Sequence, residues 1–392
     1  MHENKGMNRR HFLKAAALST AGMAAFDVIR GQSTFAQGTV AKPAKGVSGG
    51  TEKKPLALQD VLKVAREKLY PLCRVCPECD GVACAGEVPG FGGVITGLSF
   101  KNNYNALARI QLNMRVVHDI KKPDTSVTIF GEKLSIPILG APIGEAKLNF
   151  RERMAEDDFD EAMLGGCLAA GTLGMIGDSN LDPMNLNEAR LKKLSGYNGK
   201  GIAIIKPRPQ EEIIKRIRMA ESVGAVAVGT DIDSGGRGAL PGWSVEPKTL
   251  TQLRELTRAT KLPFLVKGIM TPEEAEMAVD AGAAAIVVSN HGGRVLDHTP
   301  GVADVLGPIA QKVKGKLVIL TDGGIRYGDD VLKLLALGAD AVLVGRPLIR
   351  GVFGGGKEGV AVILNRMKIE LVMSMILTGT PRVMGVPRKI IV

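Results

Sequence analysis

Histidine and arginine, the side chains suited to taking a proton and holding a carboxylate, stand three residues apart in Ser289-Asn290-His291-Gly292-Gly293-Arg294. A histidine exchanges its proton near neutral pH. A guanidinium grips a carboxylate through two parallel hydrogen bonds. Gly292 and Gly293 put no side chain in a ligand's way. Together these groups offer one kind of chemistry: an acid is bound, with Arg294 and His291 as its contacts, and a proton is taken from the carbon beside it. A loop histidine capped by its own backbone is the structural alternative, and the rest of the chain decides against it.

Such a pair must be presented by a strand that stops there. Ala284-Ala285-Ile286-Val287-Val288 is a short apolar run of that kind. From about Leu134 onward similar runs alternate with segments of helical period. Strands are predicted over 136–141, 172–176, 201–205, 226–230, 263–266, 284–288, 317–321 and 341–344, and amphipathic helices over 209–223, 272–281 and 327–337. Eight such units predict an α/β chain folded as a (β/α)8 TIM barrel. A doubly wound open sheet is the alternative, but its Gly-x-Gly-x-x-Gly turn is missing. In a barrel the C-terminal strand ends carry the chemistry, and His291, Lys267, Asp231, Asp322 and Arg346 all fall at such ends.

A second constellation closes the last two strands: Asp322-Gly323-Gly324-Ile325-Arg326 and Gly345-Arg346-Pro347. Glycines there expose backbone N–H groups and the arginines add charge, which suits a single phosphate at a helix N-terminus. Each motif alone is also an ordinary turn.

These residues resemble the FMN-dependent 2-hydroxy-acid oxidases and dehydrogenases, the family of glycolate oxidase, lactate oxidase and flavocytochrome b2. The likeness runs from about Asn102 to the C-terminus. Ser289 to Arg294 with Leu296-Asp297 matches the family's signature; Arg115-Val116-Val117, Asp124-Thr125-Ser126 and the Gly131 turn match its lead into the barrel. The resemblance implies FMN as cofactor and oxidation of a small 2-hydroxy acid such as lactate, glycolate or mandelate to the 2-oxo acid. It makes His291 the base and Arg294 the carboxylate clamp, with Asp231 holding the histidine. Lys267 is implied to stabilise charge on the reduced flavin. Pro142, Ile143 and Gly144 are implied to lie against the flavin ring, and Ser289, Asp322, Gly324, Arg326, Gly345 and Arg346 to help hold the cofactor.

The departures are as specific. The family places two tyrosines in its active site, one near Pro89 and one after the third strand. This chain reads Gly86-Glu87-Val88-Pro89-Gly90 and Ile204-Ile205-Lys206-Pro207 there. A flavin-contacting glutamine of the third strand is absent too, and Gly229 stands where a threonine is expected. The loop after the fourth strand is short, 234–243, and keeps one arginine, Arg237, as a substrate contact. Two other functions therefore stand beside the first: another FMN barrel enzyme of the isopentenyl diphosphate isomerase kind, and an electron carrier whose substrate pocket has decayed.

Ahead of the barrel, four of the five cysteines occupy twelve residues as Cys73-x2-Cys76-x2-Cys79-x4-Cys84. Three readings fit: an iron–sulfur cluster, near ferredoxin spacing without matching it; a structural zinc on four thiolates; or disulfides. Cys167 reads as a small helix-packing residue.

The chain has 392 residues and a net charge of +11. Its basic residues are scattered, without the aromatic-interleaved runs of a nucleic-acid surface; small anions are the partners expected, in a homo-oligomer, with oxygen or a redox partner as the electron acceptor. Asn8-Arg9-Arg10-His11-Phe12-Leu13-Lys14, the apolar run from Ala15 to Phe26 and Thr34-Phe35-Ala36 resemble a twin-arginine export signal. The expected order is a signal over 1–36, a linker over 37–56, a cysteine-bearing lead segment over 57–125, and the FMN barrel over 126–392, in an extracytoplasmic or periplasmic protein with no membrane span after the signal.

Overall fold

The structure is a computed structural model that describes residues 55–179 and 184–392. The expected signal, and all but the last two residues of the linker, lie outside the described residues. The chain divides into two units, Met1–Asp60 and Val61–Val392; the second contains the barrel. No helix among the described residues is long and apolar enough to cross a membrane.

Eight parallel strands form that barrel: β1 (Ile138–Gly140), β2 (Met175–Gly177), β3 (Ile202–Ile205), β4 (Ala227–Asp231), β5 (Phe264–Ile269), β6 (Ala285–Val288), β7 (Val318–Thr321) and β8 (Ala341–Val344). Each lies where the apolar runs predict it. β2 pairs with β3 and so on round to β8, which pairs with β1. The ring closes between β1 and β2 through Gly140 N–H donating to Leu173 O at 2.9 Å and a bridge between Ile143 and Ile176.

The strands are apolar throughout because both faces are covered. One face of each fills the barrel: Leu139, Met175, Ile202, Ile204, Ala227, Leu265, Ala285, Val287, Leu320 and Leu343 form one buried cluster. The other face packs on helices such as Gln210–Ser222, which buries Ile213, Ile217 and Ala220. Local signals start these helices: Thr249 and Gln252 form a capping box, and Thr271 caps a helix with Pro272 in its first turn.

The lead segment contains α1 (Leu58–Leu69) and α2 (Leu98–Arg109), with the cysteines between them. An antiparallel hairpin, Val127–Ile129 with Glu132–Leu134, precedes β1. α2 docks on the loop after β6. Gly293 permits the contact: its φ is +77°, and a Cβ would stand 2.4 Å from Phe100 N. Asp297 is the anchor, accepting from Thr96 N and Oγ1 at 2.7 and 2.6 Å, Ser99 N at 3.1 Å and His298 N at 3.0 Å. Burial opposes its charge, but these donors outweigh it and hold the carboxyl well below the usual carboxylate range.

A group with a depressed folded-state pKa stabilises fully above its unfolded value, about 4, and loses that contribution as pH falls through the folded one. Asp297→Asn should therefore cost about 2 kcal/mol at pH 7, with the gap to wild type narrowing below pH 4. Urea unfolding at both pH values checks this; a pH-independent gap would contradict the assigned role.

Candidate active site

Side chains alternate across a strand, so the barrel's filled interior fixes which residues come next at its mouth. Two residues beyond the core positions Ile204, Leu265, Val287, Leu320 and Leu343 stand Lys206, Lys267, Ser289, Asp322 and Gly345; on β4 the same face carries Ala227, Gly229 and Asp231. The interior thus passes from apolar to ionised within one side-chain layer. Above it opens a cleft of about 1100 Å³ including its mouth, sized for a cofactor with a small substrate.

His291 lies at the rim with φ +57° and 18% of its side chain exposed. Its Nδ1 is 3.1 Å from both carboxylate oxygens of Asp233 and 3.9 Å from Asp231 Oδ2. This corrects the sequence expectation: the carboxylate that holds the histidine is Asp233. Asp231 Oδ2 instead accepts from Lys206 Nζ at 2.7 Å and Ser234 Oγ at 3.0 Å. The strand pattern stops at Asp231, and the following turn, Ile232–Ala239, folds Asp233 back over β5. Gly268 makes the room, since a Cβ on it would stand 2.6 Å from Asp233 Cβ.

Ser289 is a second correction. It does not line the cleft. Its Oγ accepts from Lys267 Nζ at 2.9 Å and His291 N at 3.0 Å and donates to Asp322 Oδ2 at 2.8 Å, which fills a hydroxyl's capacity. It positions three site residues and has nothing left for a cofactor.

The charges set the protonation states. Burial, reinforced by the Lys267 and Lys206 ammoniums, drives His291 well below its ordinary pKa despite Asp231. An acceptor-only carboxylate at Nδ1 requires that nitrogen to carry the hydrogen, which leaves the lone pair on Nε2. Burial would lower Lys267, but Asp233, Asp322 and Asp231 outweigh it and raise its pKa, so it stays charged. Asp231, Asp233 and His291 place ligating atoms within 4.8 Å of one another. Lys206 at 2.7 Å from Asp231 and Lys267 at 3.8 Å from Asp233 already supply the positive charge there.

Arg294 faces the same cleft. Its Nη1 donates to Gly90 O and its Nη2 to Asn149 Oδ1 at 2.7 Å. Burial, then Arg346 and Arg237, lower it to about 9, so it is a crowded cation that a bound carboxylate would relieve. Arg237 lies 5.1 Å over Trp243 and 3.9 Å from Glu145. Lys206, Glu145 and Asn149 line the cleft without having been singled out; Lys206 was readable, being the next inward position after Ile204. No tyrosine lines the cleft.

The cleft wall also carries the residues expected to hold FMN: Pro142, Ile143, Gly144, Lys267, Asp322, Gly324, Arg326, Gly345 and Arg346 all line it. Two buried atoms on this wall lack partners, the acceptor Asp322 Oδ1 and the donor Arg326 Nη2. A ribityl hydroxyl and a phosphate would satisfy them. Gly323 and Gly324 have φ of +88° and +81°, and nothing but Ala141 Cβ at 3.7 Å approaches a Cβ built on Gly345. The wall fits the cofactor. Arg346 does more than border the cleft. Its Nε and Nη2 donate to the carbonyls of Phe91, Gly92 and Gly292.

Cys73, Cys76, Cys79 and Cys84 line one small cavity beside this wall, together with Phe91, Arg346 and Arg350. All four are free thiols. Burial pushes Cys84 up to about 11, whereas Arg326, Arg350 and Arg346 overcome burial at Cys79 and lower it. Cys167 is fully buried against Gly140, as its expected packing role requires.

Comparison with known proteins agrees with this geometry. The profile of the family described as FMN-dependent dehydrogenase matches residues 91–241 and 241–392. A 2-hydroxyacid oxidase of Dictyostelium discoideum is 33% identical over 339 residues, covering 75% of this chain and 82% of the relative. 2-Hydroxyacid oxidase 2 of Homo sapiens is 30% identical over 326 residues, covering 76% and 91%. Among solved structures, a mandelate oxidase with benzoyl-formic acid has a TM-score of 0.67 at 30% identity, over 84% of this chain and 96% of that one. The barrel, the flavin wall and the His–Arg pair therefore have one common explanation: the chain belongs to the FMN-dependent 2-hydroxy-acid oxidase family and is an enzyme of that family.

Proposed function

We propose that this enzyme oxidises a small 2-hydroxy acid to its 2-oxo acid at the barrel mouth. The observation that carries the reading is the pairing, in one cleft, of a histidine kept neutral by burial and two nearby lysines with an arginine left short of negative charge. Arg294, aided by Arg237, holds the substrate carboxylate. His291 takes a proton from the substrate through Nε2, and Asp233 stabilises the imidazolium that results. FMN, when bound, would supply the two-electron acceptor; Lys267 would hold a positive charge beside it, and Asp322, Gly324, Arg326, Gly345 and Arg346 would retain it. Relatives named for glycolate and mandelate make these, with lactate, the acids to try first. The intact acid–base cluster speaks against an electron carrier with a decayed pocket. The twin-arginine-like leader supports export of a folded, cofactor-loaded protein.

The direct test is anaerobic addition of glycolate, L-lactate or mandelate to the purified yellow protein, with the released cofactor identified by mass. Bleaching of FMN is expected; recovery of a dinucleotide, or no bleaching by any 2-hydroxy acid, would sink the proposal. His291→Ala should keep FMN and lose about 10²–10⁴-fold in kcat.

The carboxylate assignment has its own test. Asp233→Asn should lower kcat further than Asp231→Asn, with FMN bound in both; the reverse order would restore Asp231 to the histidine.

Lys206 makes a pH prediction. His291 must be neutral to act as a base, so activity falls on the acid side where it becomes protonated. Lys206→Met removes a cation that lowers its pKa, and the acid limb of kcat/KM should move to higher pH. An unmoved limb would show that burial alone sets His291.

A further inference from the structure

The four cysteines lie outside the part of the chain matched by the family profile, which begins at residue 91, and the proposed oxidation does not use them. They nonetheless form a built site. α1 ends at Leu69, where Cys73 N–H donates to Leu69 O at 3.1 Å, and the turn at Gly81, φ +86°, brings Cys84 back to the other three. All four thiols face one cavity.

The surroundings call for an anion. Arg350 Nη2 approaches Cys73 Sγ at 3.9 Å, and Arg350 Nε is buried without a partner. Arg326 Nε donates to Cys79 O at 3.0 Å. Arg346 borders the cavity while lying 3.8 Å over the Phe100 ring. Arg326 and Arg346 can share their charge with the flavin phosphate, but Arg350 against neutral thiols is buried charge left uncompensated, which is costly; four thiolates around a metal centre of net charge −2 or −3 would match it.

The sulfur spacing selects among metals. A tetrahedral zinc with bonds of about 2.3 Å draws its four sulfurs to about 3.8 Å from one another. Among the described residues, the trio of ligating groups whose atoms lie mutually within 4.8 Å is Asp231, Asp233 and His291; no three of the thiols crowd together so closely. The thiols are unpaired, so the cavity is not a disulfide knot either. Sulfurs gathered around one space yet held apart suit a polynuclear centre.

We infer that Cys73, Cys76, Cys79 and Cys84 hold a cubane [4Fe–4S] cluster against the flavin wall, and that electrons leave the enzyme through it. The site stands on the thiols and arginines; its role as an exit rests on the oxidation proposed above. Phe91 and Arg346 border both cavities, which makes the two neighbours. Oxidation of one 2-hydroxy acid releases two electrons and two protons. The cluster takes one electron at a time, passing from the 2+ to the 1+ core, and is filled and emptied twice per turnover into a one-electron carrier protein, while the protons go to solvent.

The test uses the full chain purified without oxygen. About four irons and four sulfides per chain are expected, with broad absorption beyond the flavin bands and a low-temperature paramagnetic signal after dithionite reduction. One zinc without sulfide, two irons, or a metal-free protein after anaerobic iron and sulfide reconstitution would overturn the inference. Cys79→Ser should lose the iron and keep FMN; should that variant fail to fold, iron-edge X-ray absorption of the wild type must still show sulfur-only ligation. For the exit role, substrate should bleach FMN equally in wild type and Cys79→Ser, while cytochrome c reduction falls at least 10-fold in the variant. Unchanged cytochrome c reduction would remove the exit. A metal count as expected with no bleaching by any 2-hydroxy acid would leave the cluster in place and refute the oxidation instead.

Discussion

The structure depends on a set of opposed charges buried where the barrel stops being apolar. Lys206 and Lys267 stand among Asp231, Asp233 and Asp322, with contacts from 2.7 to 3.8 Å. Burying any one of these alone would cost several kcal/mol. Together they are held because strand alternation places Lys206, Lys267, Asp231 and Asp322 on one layer, the turn after β4 folds Asp233 back onto it, and Ser289 ties Lys267, Asp322 and the His291 backbone to a single oxygen. Burial, reinforced by the lysines' field, keeps a histidine unprotonated in a cleft full of carboxylates. The lysines also offset the pull of Asp231, which acts to hold a proton on His291. Fold and chemistry therefore share one constraint.

The barrel was legible because its strands are short, largely apolar and separated by segments of helical period, although the fifth strand runs on through Lys267 to Ile269, past the end of its apolar run. Given the ends, Lys267, Asp231, Asp322, His291 and Arg294 follow. Lys206 follows from the same alternation, although the family resemblance points there only to a missing tyrosine. Asp233 could not be read. Its position depends on a turn after β4 and on space above Gly268, and neither has a periodicity. Ser289 misled in the opposite sense. It sits within the signature of a cofactor-binding family and in the same inward register as Lys267 and Asp322, yet its hydroxyl is taken up by Lys267, Asp322 and the His291 N–H. A motif identifies residues that belong to a site; the hydrogen bonds among them decide which are left to touch the ligand.

The lead segment is part of the site. Gly90 O takes one Arg294 donor, Val94 N–H donates to Gly293 O at 2.9 Å, and Asp297 fixes the start of α2. The segment that carries the cysteines is thus tied to the substrate clamp at one end. At the other end Arg326 and Arg346, expected beside a phosphate, also donate to Cys79 O and to the carbonyls of Phe91 and Gly92. Each arginine has donors enough to serve two neighbours, so the same side chains that shape the flavin wall also fold the cysteine loop against it.

This sharing bears on the lost tyrosines. A phenol helps hold a substrate by hydrogen bonding and carries no charge at neutral pH. Here the stretch after the third strand has no tyrosine and carries Lys206, and the short loop after β4 supplies Arg237, which is braced on Trp243 and Glu145. On the function proposed above, the cleft would hold its acid by charge, without the hydroxyl groups the family resemblance implies. Charge is less selective about the shape of what it holds, and it falls off slowly with distance in a partly dry cleft. Two further consequences follow from the same substitution. Lys206 is bonded to Asp231 at 2.7 Å, so its charge is partly offset at the substrate and acts chiefly on His291. Arg294 and Arg237 are left as the cations to face the carboxylate of the proposed substrate, and on that reading recognition would lie with the loop and the lead segment, and proton transfer with the strand ends.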